Sequence, residues 1–292
     1  MTPQRQGELY AVVLSLLESW FPILALVAVH SIGPLNTYGF ILIIATAVLL
    51  LLLYVREGFG GLADREALPD LLWTSFYITL LFTLVFIGLR YTTAGNMAVI
   101  LTLQLFFSYL YFNLPGREKL DALHTFAAFL MGSGAVIILL PTTFTFNQGD
   151  LLILLAAATA PLANLYQKRA RQRVSALAIL TFRNLAALPV LFGAALFFEG
   201  LPTFEALLEV LPAVTAIALL VYVLAKILWI EALHRIGITK LSAMIAFMPL
   251  FTLIFAYPTL GEIPTLRQML GTLPILLGAY LITRPAPAAR VP

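Results

Sequence analysis

The 292 residues are 61% hydrophobic and only 11% charged, with a mean hydropathy of +0.99 and a net charge of +3. A water-soluble domain devotes roughly a quarter of its residues to charge, so this chain cannot coat a globule, and lipid must be the solvent for most of its surface. The small, scattered net charge gives no basis for nucleic-acid binding, and the absence of cysteine removes disulfides, thiolate metal sites and cysteine nucleophiles.

A hydrocarbon core about 30 Å thick takes about 20 apolar residues to cross as a helix. Ten stretches meet or approach that length: 9–30, 34–55, 71–90, 94–114, 123–140, 150–166, 176–198, 210–230, 241–260 and 266–282. Turn residues separate them, such as Gly33-Pro34, Gly58 to Gly61, Pro115-Gly116 and Gly261 to Pro264. The first stretch is too long for the apolar part of a signal peptide and contains Glu18, so it reads as the first helix of the mature protein.

A helix facing lipid has no use for polar residues at helical spacing, so such stripes mark faces turned to a cavity or a neighbour. The first span has Ser15, Glu18, Ser19, Trp20 and Pro22. The third has Ser75, Tyr77, Thr79 and Thr83; the fourth has Asn96, Gln104, Ser108 and Tyr111. The sixth offers Thr159, Pro161, Asn164 and Tyr166, the seventh Arg183 and Asn184, and the eighth Thr215, Tyr222, Lys226 and Trp229. The ninth has Ser242, Pro249 and Thr252. The fifth and tenth are plainer and rich in small residues, including Gly132, Gly134, Gly271 and Gly278, as suits scaffold packing. The stripes predict a cavity walled by spans one, three, four, six, eight and nine.

Lys and Arg fix the expected orientation. With the N-terminus inside, 13 of them fall on the inner side, among them Arg5, Arg56, Arg117, Lys168, Arg171, Arg235 and Arg284. Only Arg90 and Arg267 fall outside, and Arg183 and Lys226 lie within spans. Both termini are therefore expected in the cytoplasm.

Shifting the chain by 144 residues pairs Leu89 with Leu233, Phe107 with Phe251, Glu118 with Glu262, Gly134 with Gly278 and Pro141 with Pro285. Near the start of each half the offset is 139, pairing Pro22 with Pro161. Two five-span copies, residues 1–140 and 150–284, follow; five being odd, the second enters the membrane inverted. Inverted repeats around a midplane site characterise secondary transporters. Pro22, Pro161 and Pro249 are the candidate hinges, because each removes a backbone bond within a span.

With Ala232-Leu233, Ala243, Pro249, Gly261-Glu262, Gly271 and Gly278, this pattern resembles the drug/metabolite transporter superfamily, in its EamA-type branch. The resemblance covers nearly the whole chain. The first half departs from it, with Gln104-Leu105 where the second has Met248-Pro249, and Arg117 rather than glycine before Glu118. Within the branch the chain looks like the YddG-type exporters of aromatic and other amino acids. The resemblance implies an inner-membrane, multi-pass exporter working by alternating access, with no cofactor or metal, a small-molecule substrate and a lipid partner.

Glu18 is the sharpest single residue. A charge at mid-membrane costs about 3 kcal/mol on insertion scales and requires a partner, water or a proton. Small multidrug-resistance proteins of the same superfamily place a proton- and drug-binding glutamate in their first helix, and Glu18 looks similar, although Ala157 stands at the repeat position. The alternative function is thus a proton-coupled exporter of lipophilic cations. Lys226 and Arg183 are possible ion-pair partners, or anchors for a substrate carboxylate; snorkelling to the headgroups is the bland reading of Lys226. Asn96, Gln104 and Asn164 serve equally as cavity lining or as interhelical bonds. The substrate and cavity candidates are Glu18, Trp20, Tyr77, Thr79, Asn96, Gln104, Ser108, Asn164, Tyr222, Lys226 and Trp229. No HExxH or GxSxG appears, so no enzyme activity is expected.

Overall fold

The computed structural model describes residues 2–113, 122–139, 147–236, 241, 244–245 and 248–282. Arg117, Glu118, Pro141, Ser242, Ala243, Arg284 and Pro285, named above, lie outside that set. All regular structure in the described residues is helical. In chain order the rods are α1 (Pro3–Ile32), α2 (Pro34–Arg56), α3 (Leu68–Leu89), α4 (Ala94–Phe112), α5 (Ala122–Leu139), α6 (Gln148–Ala170), α7 (Ala176–Phe198), α8 (Phe204–Arg235), α9 (Met248–Leu260) and α10 (Leu266–Ile282). Seven of them, α1 to α4 and α6 to α8, are long and apolar enough to cross a membrane. The chain is a multi-pass membrane protein.

Helix starts follow from capping chemistry. Thr93 accepts from the amide of Asn96 at 3.0 Å to open α4, and Ser175 accepts from Ala178 at 3.1 Å to open α7. Carboxylates complete two further starts from a distance. Glu199, after α7, accepts from the amides of Leu35 and Asn36 at 2.9 and 3.0 Å, capping α2. Glu262, after α9, accepts from Ala94 and Gly95 at 3.0 and 3.1 Å, capping α4. Each places an anion where the helix leaves its first N–H groups unpaired.

In lipid no hydrophobic force drives helices together, so close backbone approach and dispersion do the work. The most extensive pairs are α3 with α6, α5 with α10, α2 with α7 and α1 with α8. Each joins an early helix to a late one. The α5–α10 contact depends on glycine: a Cβ on Gly134 would lie 2.5 Å from the Gly271 carbonyl oxygen, and one on Gly278 would lie 2.5 Å from that of Ala127. Both spacings are below any real contact. The backbones touch there because neither residue has a side chain.

Three rods are irregular, and the irregularities flank the central cavity. α1 breaks at Trp20, just before Pro22. The proline has no N–H to return to the Glu18 carbonyl, and the Thr252 hydroxyl of α9 donates to the neighbouring Ser19 carbonyl at 3.0 Å. α4 breaks at Thr102 and Leu103, and α8 widens to a π-helix over Ile217–Ala225. Pro161, by contrast, sits inside an α6 that runs through without interruption. Pro249 is the second residue of the described part of α9.

Candidate functional site

The break in α1 brings Glu18 to the centre of the bundle, and the end of the π-helical segment of α8 sets Lys226 opposite it. The Lys226 ammonium donates to Glu18 Oε1 at 2.5 Å, with both residues buried. The rings of Phe82 and Trp229 lie 5.2 and 5.7 Å from the same Nζ, so aromatic faces share in holding the cation. Snorkelling is therefore not what Lys226 does here; its stem and head point inward to a carboxylate.

A cavity surrounds this pair. Its lining includes Glu18 and Phe21 of α1, Ile78, Leu81 and Phe82 of α3, Leu101, Thr102 and Gln104 of α4, and Ala160, Asn164 and Gln167 of α6. Arg183 of α7, Lys226 and Trp229 of α8, Ile245, and Met248 of α9 complete it. The space between atoms totals about 820 Å³ with the mouth included. That space falls within the roughly 300–1,000 Å³ usual for small-molecule sites. Polar groups are few and the walls are aromatic and aliphatic, as small-molecule sites generally are.

Arg183 is the third charge. Its Nη1 donates to Gln167 Oε1 at 2.9 Å, and Gln167 in turn donates from Nε2 to Asn164 Oδ1 at 3.3 Å. Arg183 is 2% exposed, yet among the described residues its Nε and Nη2 have no hydrogen-bond partner, and neither does the hydroxyl of Tyr222. A buried donor left bare loses its hydration without return. Tyr38, Tyr222 and Glu18 stand within electrostatic reach of the guanidinium.

One end of the bundle is tied together by hydrogen bonds. The carboxylate of Asp150, at the start of α6, accepts from the Thr92 hydroxyl and from Asn96 Nδ2, the latter at 3.0 Å to Oδ2. Gln268 of α10 donates to Asn96 Oδ1 at 2.8 Å. With the Glu262 and Glu199 caps, these bonds join early helices to late ones across that end. Beneath them an aromatic cluster fills the space: Tyr38 stacks on Phe86 at 5.0 Å, while Phe21 meets Phe86 edge-on at 5.6 Å and Tyr222 lies 5.1 Å from Phe82. At the other end Arg171 and Arg235 both pair with Glu231, linking α6 to α8.

Of the residues singled out from sequence, Glu18, Gln104, Asn164, Lys226 and Trp229 line the cavity together. Tyr222 packs in the aromatic cluster beside it. Asn96 belongs to the Asp150 network, so its polar group serves interhelical bonding. Trp20 is 39% exposed and stacks on Phe255 at 4.8 Å. Tyr77 stacks on Tyr166 at 5.7 Å. Thr79 is half-buried and Ser108 buried, both outside the cavity lining. Sequence reasoning missed Gln167, Thr102, Phe82 and Met248. Gln167 carried a usable signal, three residues from Asn164 and so on the same helical face; the other three looked like ordinary span residues.

The model of the EamA-like transporter family matches residues 5–140 and again residues 147–284. The chain belongs to the EamA-like transporter family. An uncharacterized transporter of Archaeoglobus fulgidus is 24% identical over 267 residues, covering 88% of this chain and 90% of its own. The uncharacterized transporter YoaV of Bacillus subtilis is 23% identical over 264 residues, covering 88% and 89%. A solved crystal structure superposes with TM-score 0.68 at 19% identity, over 95% of this chain and 97% of its own, a likeness of fold. As an EamA-like protein the chain is a membrane transporter, and its central cavity is the candidate path for the solute.

Proposed function

We propose that this protein exports small amphipathic metabolites, aromatic and other amino acids foremost, from the cytoplasm across the inner membrane by alternating access through the central cavity. The observation that carries the reading is the cavity itself: three buried charges among aromatic walls, at mid-helix, with room for one small solute. Few fixed charges and many ring faces suit a solute with a flat or greasy side chain.

Ten spans in two inverted copies, residues 1–140 and 150–284, account for the packing. Exchanging each helix with the one five places on carries the α3–α6 contact onto α8–α1 and returns α5–α10 and α2–α7 to themselves. The glycine contacts obey the same exchange, since Gly134 on Gly271 maps onto Gly278 on Ala127 at the 144-residue offset. With both termini cytoplasmic, the tied end at Asp150 and Glu262 faces outward, and the cavity belongs to the inward-facing arrangement. Rocking of the two copies, with the α1 break at Pro22, the α4 break and the α8 π-helix as flexible points, would open the tied end in turn.

Liposomes reconstituted with the protein and loaded with labelled amino acids test the proposal. Efflux well above empty liposomes is expected for at least one aromatic amino acid; no efflux for any amino acid ends this reading. The rival, a proton-coupled exporter of lipophilic cations, needs a Glu18 carboxylate free to take a cation. Lys226 occupies that carboxylate. Glu18→Gln abolishing binding of a cationic dye would restore the rival.

A further inference from the structure

The cavity's charges do not balance. Among the described lining residues Glu18 and Lys226 neutralise each other and Arg183 is the remaining ionisable group, which leaves a formal sum of one positive charge. Glu18 lies within electrostatic reach of Arg183, but a buried guanidinium is costly unless acceptors also meet its remaining donors.

The unpaired atoms show what that something is. Of the guanidinium nitrogens, Nη1 is used by Gln167, while Nε and Nη2 have no partner among the described residues. Nε–H and Nη2–H form one edge of the planar group, two parallel donors whose spacing matches the two oxygens of a carboxylate. Gln167 and Asn164 hold the opposite side and leave the fork without a partner among the described residues; both its nitrogens are buried, so a solute reaches them only when neighbouring side chains move aside. We infer that Arg183 is the anchor for the carboxylate group of the substrate, whose apolar remainder packs among Phe82, Trp229 and Met248. This rests on the transporter reading above and names the solute's obligatory group. A phosphate monoester fits poorly, because its second negative charge would have no cation left to meet. A lipophilic cation is repelled.

The wild-type protein in nanodiscs, titrated calorimetrically with 3-phenylpropionate and with 3-phenylpropanamide, tests the inference without any variant. The acid is expected to bind roughly tenfold to a hundredfold more tightly than the amide, the range for hydrogen bonds to a charged group. Arg183→Gln should erase the difference, and Arg183→Lys should keep part of it. Equal binding of acid and amide to the wild type overturns the inference, as does a preference that survives in Arg183→Gln. So does a failure of carboxylates from propionate to 3-phenylpropionate to bind at all. Binding is scored apart from flux: Arg183-dependent binding without transport would count against the exporter proposal alone. Amino-acid efflux untouched by Arg183→Gln would sink the anchor and leave the exporter standing.

Discussion

Replacing Lys226 with methionine keeps the length of the side chain and removes its charge, leaving Glu18 buried without its ammonium. Glu18 and Lys226 are 8% and 9% exposed, so only the little water the cavity holds is left to Glu18, a poor replacement for an ammonium. Breaking one side of such a pair costs about 3–5 kcal/mol, whereas replacing both sides by well-packed neutral groups is often nearly neutral. At about 2–4 °C per kcal/mol for domains of somewhat smaller size, Lys226→Met should lower the apparent melting temperature by roughly 6–20 °C. The double variant Glu18→Gln with Lys226→Met should recover most of that loss. The assay is thermal unfolding in one detergent at one scan rate, because membrane-protein melting is commonly irreversible and only matched scans compare. A double variant no more stable than Lys226→Met alone would refute the reasoning, since it would show that the loss is one of packing and not of a bare carboxylate.

Gly278→Val should push α5 and α10 apart, its new Cβ lying 2.5 Å from the Ala127 carbonyl oxygen, and should cost at least the ~1–3 kcal/mol typical of overpacking; a melting temperature unchanged from wild type would count against the contact. Glu262→Ala removes the cap on α4 and should cost about 1–2 kcal/mol, with faster hydrogen exchange confined to the amides of Ala94 and Gly95 and the turn they open. The chain has no cysteine, so Thr102→Cys gives a clean label inside the cavity. A membrane-impermeant maleimide should reach it from the cytoplasmic side alone, and from both sides once Asp150→Asn loosens the tied end; access from outside in the parent would reverse the assigned state.

Lipid as solvent makes composition decisive, so the membrane class, the stretches that became helices and the mid-helix placement of Glu18 were legible from the chain alone. The small residues of the fifth and tenth spans likewise pointed to the glycines that let α5 and α10 touch. Those properties depend on residue type and spacing along one helix. What the sequence could not decide was which polar residues meet, because that depends on how each rod is rotated about its axis and on which rods pair. Lys226 finds Glu18 across 208 residues, through a break in one helix and a π-helical widening in another. Asn96 and Gln104 sit on one helix with equal claims by spacing, yet one serves the tied end and the other the cavity. The unfilled edge of Arg183 is the furthest from sequence of all, since only the placed Gln167 side chain determines which of its donors remain free.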